Sequence, residues 1–401
     1  MAGPPLPRVA ILSAVRTPIG KFGGKLRMTP APVLGGLVAR EAIRRAAVRP
    51  ADIPEVVFGH GILAGAGQNP ARQVLRAAGI PDSSAGTTID MVCGSGMKAL
   101  HFATSEIRTG EFEIVLTGGM ESMDSAPYLV GPRARWGLRF GAEPLDDAML
   151  RDALTDAYGA HEHMGLTGER IARKLHLTRE EVDRFALRSH RSAGRAISEG
   201  RFTAETIPVP AELTATHEGL PTDECPRPES TMESLGRLKP TFAPDGVLTA
   251  GNSSQLADGA AALVLASEAE VVRRKATPLA WIHSVALSGV HPDDVMEAPI
   301  PTVRSHLQRT GFSPRDFDRV EHNEAFASAS LAVQRAFDFS DEQFNVNGGA
   351  VALGHPIGMS GARIVVTLLY ELLRTRGRLG LATLCMGGGN GLSLILDRRD
   401  L

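Results

Sequence analysis

Two cysteines, one histidine and one asparagine stand where this sequence is richest in small residues, and their types invite acyl-transfer chemistry. Cys93 lies in TTIDMVCGSGMKAL, where an apolar run ends and small residues follow. A helix opening there would place the thiol at its positive end, where the dipole and free N–H groups favour the nucleophilic thiolate. Gly94, Ser95 and Gly96 leave room for a ligand against the backbone. His355, in NVNGGAVALGHPIGMSGARIVV, is held by glycine-rich chain just ahead of a helix and is a candidate general base for a thiol. Cys385 ends the apolar run LATLC before three glycines. Strand C-termini of parallel sheets bind ligands, and glycine N–H groups there can form an oxyanion hole. Asn323, with Glu324 in VEHNEAFAS, can orient a water or a carbonyl. Each position has a plainer alternative: a buried core thiol, a turn histidine bonded to backbone, a strand cysteine beside a turn, a helix cap.

The elements that must position these residues are readable in outline. RVAILSAV, EVVFGHGI, TTIDMV and EIVLTGG read as buried strands. PVLGGLVAREAIRRAA and NPARQVLRAAG read as helices, the second with Asn69 as N-cap and Pro70 at its first position. The alternation predicts βαβ units and a mostly parallel sheet. Between residues 125 and 251 the chain is richer in Pro, Arg, Asp, Glu and His. One helix is clear there, LTREEVDRFALRSHRSAGRAISEG, opened by a capping box of Thr178 and Glu181. The rest reads as loop, and loops that long usually line a site. Strand and helix patterns resume with ADGAAALVLASEAEVVRRK and PLAWIHSVALSG and run to RLGLATLCMGGG. CGSGMKALHFATSEI followed by EIVLTGGMESM resembles GHPIGMSGARIVVTLLYEL followed by GLATLCMGGGNG, which points to a duplicated unit.

Composition sets the bounds. The 401 residues carry a formal net charge of -2, with 43% hydrophobic and 22% charged residues. That balance argues against nucleic acid or an anionic membrane as the main partner, and no apolar run reaches spanning length. Cys93, Cys225 and Cys385 are too few for a disulfide framework, which fits a reducing compartment. The start, MAGPPLPRVAIL, has no secretory pattern, and a cytoplasmic protein is expected. Gly59, Gly61 and Ala64 fit a dinucleotide pattern, but no helix opens directly from it. His161 and His163 lack companions at ligand spacing, so no metal is expected.

Together these pieces resemble the thiolase family along essentially the whole chain. The markers are AVRTPIGKFGG, VCGSG, GGMESM, TAGNSSQLADGAAA, HNEAF, NGGAVALGHPIGMSGAR and CMGGG, in the right order and at the right distances. The resemblance implies an α/β fold of duplicated βαβαβ halves in a layered α-β-α-β-α core with an inserted loop domain. It divides the chain into residues 1–124 plus 252–278 with Cys93, a coenzyme A-binding insertion over 125–251, and residues 279–401 with Asn323, His355 and Cys385. It implies that Cys93 takes an acyl group, that His355 removes its proton, and that Cys385 pulls a proton from the methyl of a second acetyl-CoA. His355 and a water on Asn323 would form one oxyanion hole, and the N–H groups of Cys93 and Gly387 a second. His163, Met164, Arg227, Ser234, Phe242, Ser254, Met296, Ala325 and Phe326 would bind coenzyme A or its acyl group. No tightly bound cofactor is implied; coenzyme A and acyl-CoA are substrates.

The implied reaction is the reversible condensation of two acetyl-CoA to acetoacetyl-CoA and coenzyme A, because the His-Met-Gly loop resembles the short-chain branch. A broad-range thiolase of fatty-acid degradation is the alternative. Cys385 argues against a carrier-protein ketosynthase, and the presence of all four polar positions against a silent coenzyme A-binding subunit. SMDSAPYLVGPRARWGLRFG resembles the segment that pairs family dimers into homotetramers. Three departures stand out: His322 before NEAF, one extra residue in AYGAHEHMG that leaves His161 or His163 as the match, and Leu235 where many relatives carry methionine.

Overall fold

The computed structural model describes residues 6–158 and 160–401. Residues 1–5, with Pro4 and Pro5, and Gly159 of AYGAHEHMG lie outside the described residues. The strands are β1 (Val9–Arg16), β2 (Gly20–Lys21), β3 (Glu55–His60), β4 (Ala85–Ile89), β5 (Ile114–Ser122), β6 (Tyr128–Val130), β7 (Leu145–Asp147), β8 (Ala257–Ser267), β9 (Ala280–Gly289), β10 (Arg319–His322), β11 (Leu379–Met386) and β12 (Asn390–Asp397). The helices are α1 (Ala31–Arg45), α2 (Pro70–Ala77), α3 (Ser95–Thr109), α4 (Met164–Lys174), α5 (Arg179–Ser198), α6 (Met232–Gly236), α7 (Glu268–Arg274), α8 (Pro299–Thr310), α9 (Ala327–Phe337), α10 (Ala350–Leu353) and α11 (Ile357–Thr375). No helix among the described residues is long and apolar enough to cross a membrane.

The main sheet runs β10-β11-β12-β9-β1-β8-β5-β3-β4, with β2 paired to β8. Along that order the shortest junction is β1 with β9, where only Val9 to Ile11 pair. On either side of that junction the strands follow one plan. In the first half the third, second, fourth, fifth and first strands lie in that order as β4, β3, β5, β8 and β1. The second half repeats it once Phe344, bridged in parallel to Val320 of β10, is counted as the third. The sequence likeness of the two halves is therefore a likeness of topology.

The sheet is mixed rather than mostly parallel. β3 with β4, β3 with β5, and β10 with β11 are parallel. β5 with β8, β8 with β1, β11 with β12, and β12 with β9 are antiparallel. Glycine turn chemistry explains the difference. Gly388 and Gly389 have φ of 82° and 84° and turn β11 straight back into β12 as a hairpin. In the first half the chain between β5 and β8, residues 123–256, occupies the equivalent place. TTIDMV also departs from expectation: β4 is the outer strand, and its residues are only half-buried.

Between the two sets of strands lie α3 and α11. A Cβ on Gly96 would sit 2.8 Å from the Gly358 carbonyl, and one on Gly361 only 2.6 Å from the Met97 nitrogen, so the crossing requires glycine. α11 is buried almost all round, as a helix between two sheets must be. Its Ile364 and Leu368 share a core with Met97 and Leu100 of α3 and with strands of both halves. α1 and α2 cover the outer face of the first half, and α8 and α9 pack on the second. The insertion is more helical than its sequence suggested. The capping box of α5 forms as expected, but α4 is capped by His163, whose Nδ1 accepts the Gly165 N–H at 3.0 Å.

β8 begins with an unusual pair. Asp258 is fully buried, and its carboxyl meets that of Asp124, whose oxygens accept the Gly23 N–H at 2.9 and 3.0 Å. Burial first, and the shared proton with Asp124 second, push Asp258 up to about 8. The folded chain thus keeps a proton that the unfolded chain releases near about pH 4, so raising the pH from about 4 to 8 favours unfolding. Asp258→Asn donates without titrating. It is expected to melt at least about 2 °C above the parent at pH 8, with the gap shrinking toward pH 5 in parallel thermal scans.

Candidate active site

The turn that carries Cys93 is strained. Val92 has a φ of 48°, an outlier for a β-branched residue. Three bonds hold it there. Its N–H donates to Asp90 at 3.0 Å, its carbonyl accepts from Ser95 Oγ at 2.6 Å, and Ser95 Oγ accepts the Met91 N–H at 2.9 Å. A short turn over Val92–Gly94 then leads into α3, so Cys93 stands at the helix N-terminus as expected. Gly94 admits Met386 from β11, since a Cβ there would fall 1.9 Å from its sulfur.

His355 arrives from the other half. Gly354, at φ 99°, turns the chain after α10, and the His355 N–H donates to the Gln255 carbonyl at 2.8 Å. Ser360, in the first turns of α11, donates to the Pro356 carbonyl at 2.8 Å and so must accept from His355 Nδ1, 2.6 Å away. No motif or spacing marks this partner; only its position on the helix that follows His355 reveals it. The tautomer assigned by that bond leaves Nε2 with its lone pair. Nε2 faces Asn323 Nδ2 at 3.3 Å. Asn323 is not a helix cap: it extends β10, bonds through its N–H to the Thr383 carbonyl at 3.1 Å, and α9 starts only at Ala327. Its Oδ1 has no partner within the described residues. The β10–β11 pairing thus sets Asn323 beside the end of β11, where Cys385 lies with Sγ 3.9 Å from Met296 Sδ.

Cys93, His355, Cys385 and Gly387 line one cavity of about 50 Å³ together with Met164, Ser254, Met296, Ala325 and Phe326. Ala153, Leu154, Val295, Ile357 and Met386 complete it, and nothing in the sequence separates them from ordinary core residues. His163 and Phe242 stand one layer out. Their rings stack at 5.0 Å, and Phe242 meets Phe326 edge-on at 5.7 Å. Of the two loop histidines, His163 is thus the one packed toward the cavity, whereas His161 is exposed, with Nδ1 3.1 Å from the Asp156 carbonyl. Arg227 and Ser234 are exposed and do not line the cavity; Ser234 completes the capping box of α6. His322 is buried, bonds to Ser330 at 3.0 Å and stacks on Phe344, so its ring engages neither Asn323 nor the cavity. Leu235 is buried on α6.

Burial overrides the helix dipole at Cys93. Desolvation pushes its thiol up to about 12, the neighbouring Cys385 adds to this, and the N–H groups of Gly387 and Cys93, directed at the sulfur, oppose it. Burial also pushes Cys385 up to about 12. Burial, with the charge of Arg363, pulls His355 down to about 3. The resting site therefore holds two neutral thiols and a neutral imidazole rather than the preformed thiolate that a helix N-terminus implied. A proton can leave Cys93 only as new charge is stabilised elsewhere. Among the described residues, no three His, Cys, Asp or Glu side chains are grouped to hold a metal ion.

Residues 9–269 match the family model of the thiolase N-terminal domain, and residues 276–398 that of the thiolase C-terminal domain. The chain belongs to the thiolase family. This thiolase is 45% identical over 388 residues to an acetyl-CoA acetyltransferase of Escherichia coli, covering 97% of this chain and 98% of the relative. A cytosolic acetyl-CoA acetyltransferase of Mus musculus is 44% identical over 395 residues, covering 97% and 98%. The crystal structure of the Bacillus anthracis acetyl-CoA acetyltransferase superposes with a TM-score of 0.94 at 41% identity, covering 98% of this chain and 99% of that one. The layered, duplicated α/β architecture of this thiolase is thus the one found in a solved structure.

Proposed function

We propose that this thiolase interconverts two acetyl-CoA with acetoacetyl-CoA and free coenzyme A through an acetyl-Cys93 intermediate. The observation that carries the reading is the convergence of a half-buried thiol, a buried thiol and one imidazole with an unprotonated Nε2 on a single small cavity. The proton count then closes. His355 takes the Cys93 proton as sulfur attacks the first thioester, and Cys385 protonates the departing coenzyme A thiolate. That leaves acetyl-Cys93, an imidazolium and a Cys385 thiolate. The thiolate removes a methyl proton from a second acetyl-CoA. The enolate oxygen is held by His355 Nε2–H and by a water on Asn323 Oδ1, the atom of that side chain without a partner among the described residues. Its carbon attacks acetyl-Cys93, whose tetrahedral oxyanion takes the N–H groups of Cys93 and Gly387, each such donor worth about 3 kcal/mol. Collapse releases the Cys93 thiolate, and His355 returns its proton.

In this reading Met164, Ser254, Ala325 and Phe326 grip the pantetheine arm, with His163 and Phe242 behind them. Met296 faces the acyl group, and Arg227 and Ser234 meet the nucleotide outside the cavity. No tightly held cofactor enters the scheme. The relatives' names support an acetyl-sized substrate, and so does a cavity of about 50 Å³ walled by Leu154, Val295 and Ile357. A homotetramer in the cytoplasm fits as well: the β6–β7 arm presents Trp136 at 83% and Phe140 at 94% exposure, large apolar side chains that a subunit contact would cover. A rate comparison across 3-ketoacyl-CoA chain lengths tests the substrate. Acetoacetyl-CoA is expected to exceed the ten-carbon substrate in kcat/KM by about 100-fold, since each surplus methylene must displace packed side chains. Equal rates would replace this reading with the broad-range degradative one.

A further inference from the structure

Gln255 touches both the catalytic segment and the exposed turn that carries Arg227. Its main-chain carbonyl accepts the His355 N–H at 2.8 Å. Its side-chain Nε2 lies 3.1 Å from the Cys225 carbonyl and 3.3 Å from those of Val351 and Ala352, in the short helix α10 that leads into Gly354 and His355. Its Oε1 faces Arg227 Nη2 at 3.5 Å. The amide can point only one way, because three carbonyls on one side require donors and a guanidinium on the other requires an acceptor. No other uncharged side chain of this length does both.

The Arg227 turn is itself rigid. The Arg227 N–H donates to His190 Nδ1 at 3.2 Å, and α5 packs so closely that a Cβ on Gly194 would fall 2.4 Å from Pro228 Cβ. The guanidinium is exposed and has no carboxylate partner among the described residues. It is free to meet an anion while it reaches Gln255. Ser254, the neighbour of Gln255, lines the catalytic cavity.

We propose that Gln255 is a positioning residue that links the nucleotide end of bound coenzyme A, held at Arg227, to the placement of His355; this rests on the acetyl-transfer reading above. Anion binding at Arg227 orders the guanidinium against Oε1, and the same amide then holds the carbonyls on either side of the His355 approach. Binding energy gathered far from the reacting carbon thereby sets the general base. The link predicts that the nucleotide raises kcat and does not only lower KM.

The test compares acetoacetyl-CoA thiolysis with coenzyme A and with pantetheine, which lacks the nucleotide, as the acceptor thiol. The parent enzyme is expected to show a higher kcat with coenzyme A. Gln255→Met, of similar length but without an amide, is expected to lose about tenfold in kcat with coenzyme A and less than about twofold with pantetheine. Equal loss with both thiols would mark a merely structural role and overturn the proposal, as would equal kcat for the two thiols in the parent. Arg227→Gln, a surface change, keeps the test alive if the methionine variant does not fold: a lower kcat with coenzyme A alone supports the link, and a change confined to KM overturns it. A parent enzyme that cleaves acetoacetyl-CoA with neither thiol would instead refute the activity itself.

Discussion

Cys93→Ser is expected to lower kcat for acetoacetyl-CoA thiolysis by at least about 10⁴-fold and to leave the protein unacetylated after incubation with acetyl-CoA, as read by intact mass. On the proposed mechanism the reason lies in the base. His355 is neutral and held down to about 3 by burial, so it is a weak proton acceptor in the resting site. It suffices for a thiol only because the thioester carbonyl develops charge at the same moment, next to the N–H groups of Gly387 and Cys93. A serine hydroxyl is several pKa units less acidic than a thiol, and nothing in the cavity makes up that difference. The variant is expected to fold normally. The strained Val92 is held by Asp90 and Ser95, not by the sulfur, and the thiol makes no bond that the turn depends on. Acetylation at the parental rate would remove Cys93 from its role, whatever happened to turnover.

Much of this architecture was legible because it depends on local rules. Apolar runs became β1, β3 and β5, and the Asn69 and Thr178 caps formed where side-chain chemistry places them. The likeness of the two halves survived as a shared strand order. What escaped depends on partners distant in sequence. Strand direction at β11 and β12 escapes because glycines that leave room for a ligand and glycines that close a hairpin look alike in sequence, and Gly387–Gly389 close one. The α4 helix was hidden because its cap is a histidine, a residue rarely found in that role. The protonation state of Cys93 escapes for the same kind of reason. The helix dipole is visible in the sequence, whereas the desolvation that outweighs it comes from Met386, Ile357 and their neighbours, brought together only by folding. Ser360 and Gln255 carry ordinary hydrogen bonds, and no spacing rule distinguishes them until His355 is seen between them.

Cys385→Ala should separate the two halves of the reaction that Cys93→Ser abolishes together. Acetylation of Cys93 by acetyl-CoA is expected to persist at a reduced rate, while steady-state turnover falls by at least about 10³-fold. The asymmetry follows from what each step of the proposed mechanism asks of Cys385. In the first, it only protonates a departing thiolate, a weak base that can leave unaided and take a proton from water. In the second, it must remove a proton from the methyl carbon of a thioester, a far weaker acid than any side chain, and no other group of matching strength lines the cavity. His355 cannot substitute, because it is then an imidazolium bound to the enolate oxygen's position and has no lone pair to offer. Two readouts check this. Intact mass should show acetylated protein, and proton NMR in deuterium oxide should show exchange of the acetyl-CoA methyl hydrogens with the parent enzyme but not with the variant. Undiminished methyl exchange would move the carbon-acid role to another residue, and loss of acetylation would make Cys385 part of the nucleophile's own machinery. The substitution removes a single sulfur packed 3.9 Å from Met296 in a site otherwise held by backbone pairing of β10, β11 and β12, so the remaining groups keep the geometry in which the first half-reaction proceeds.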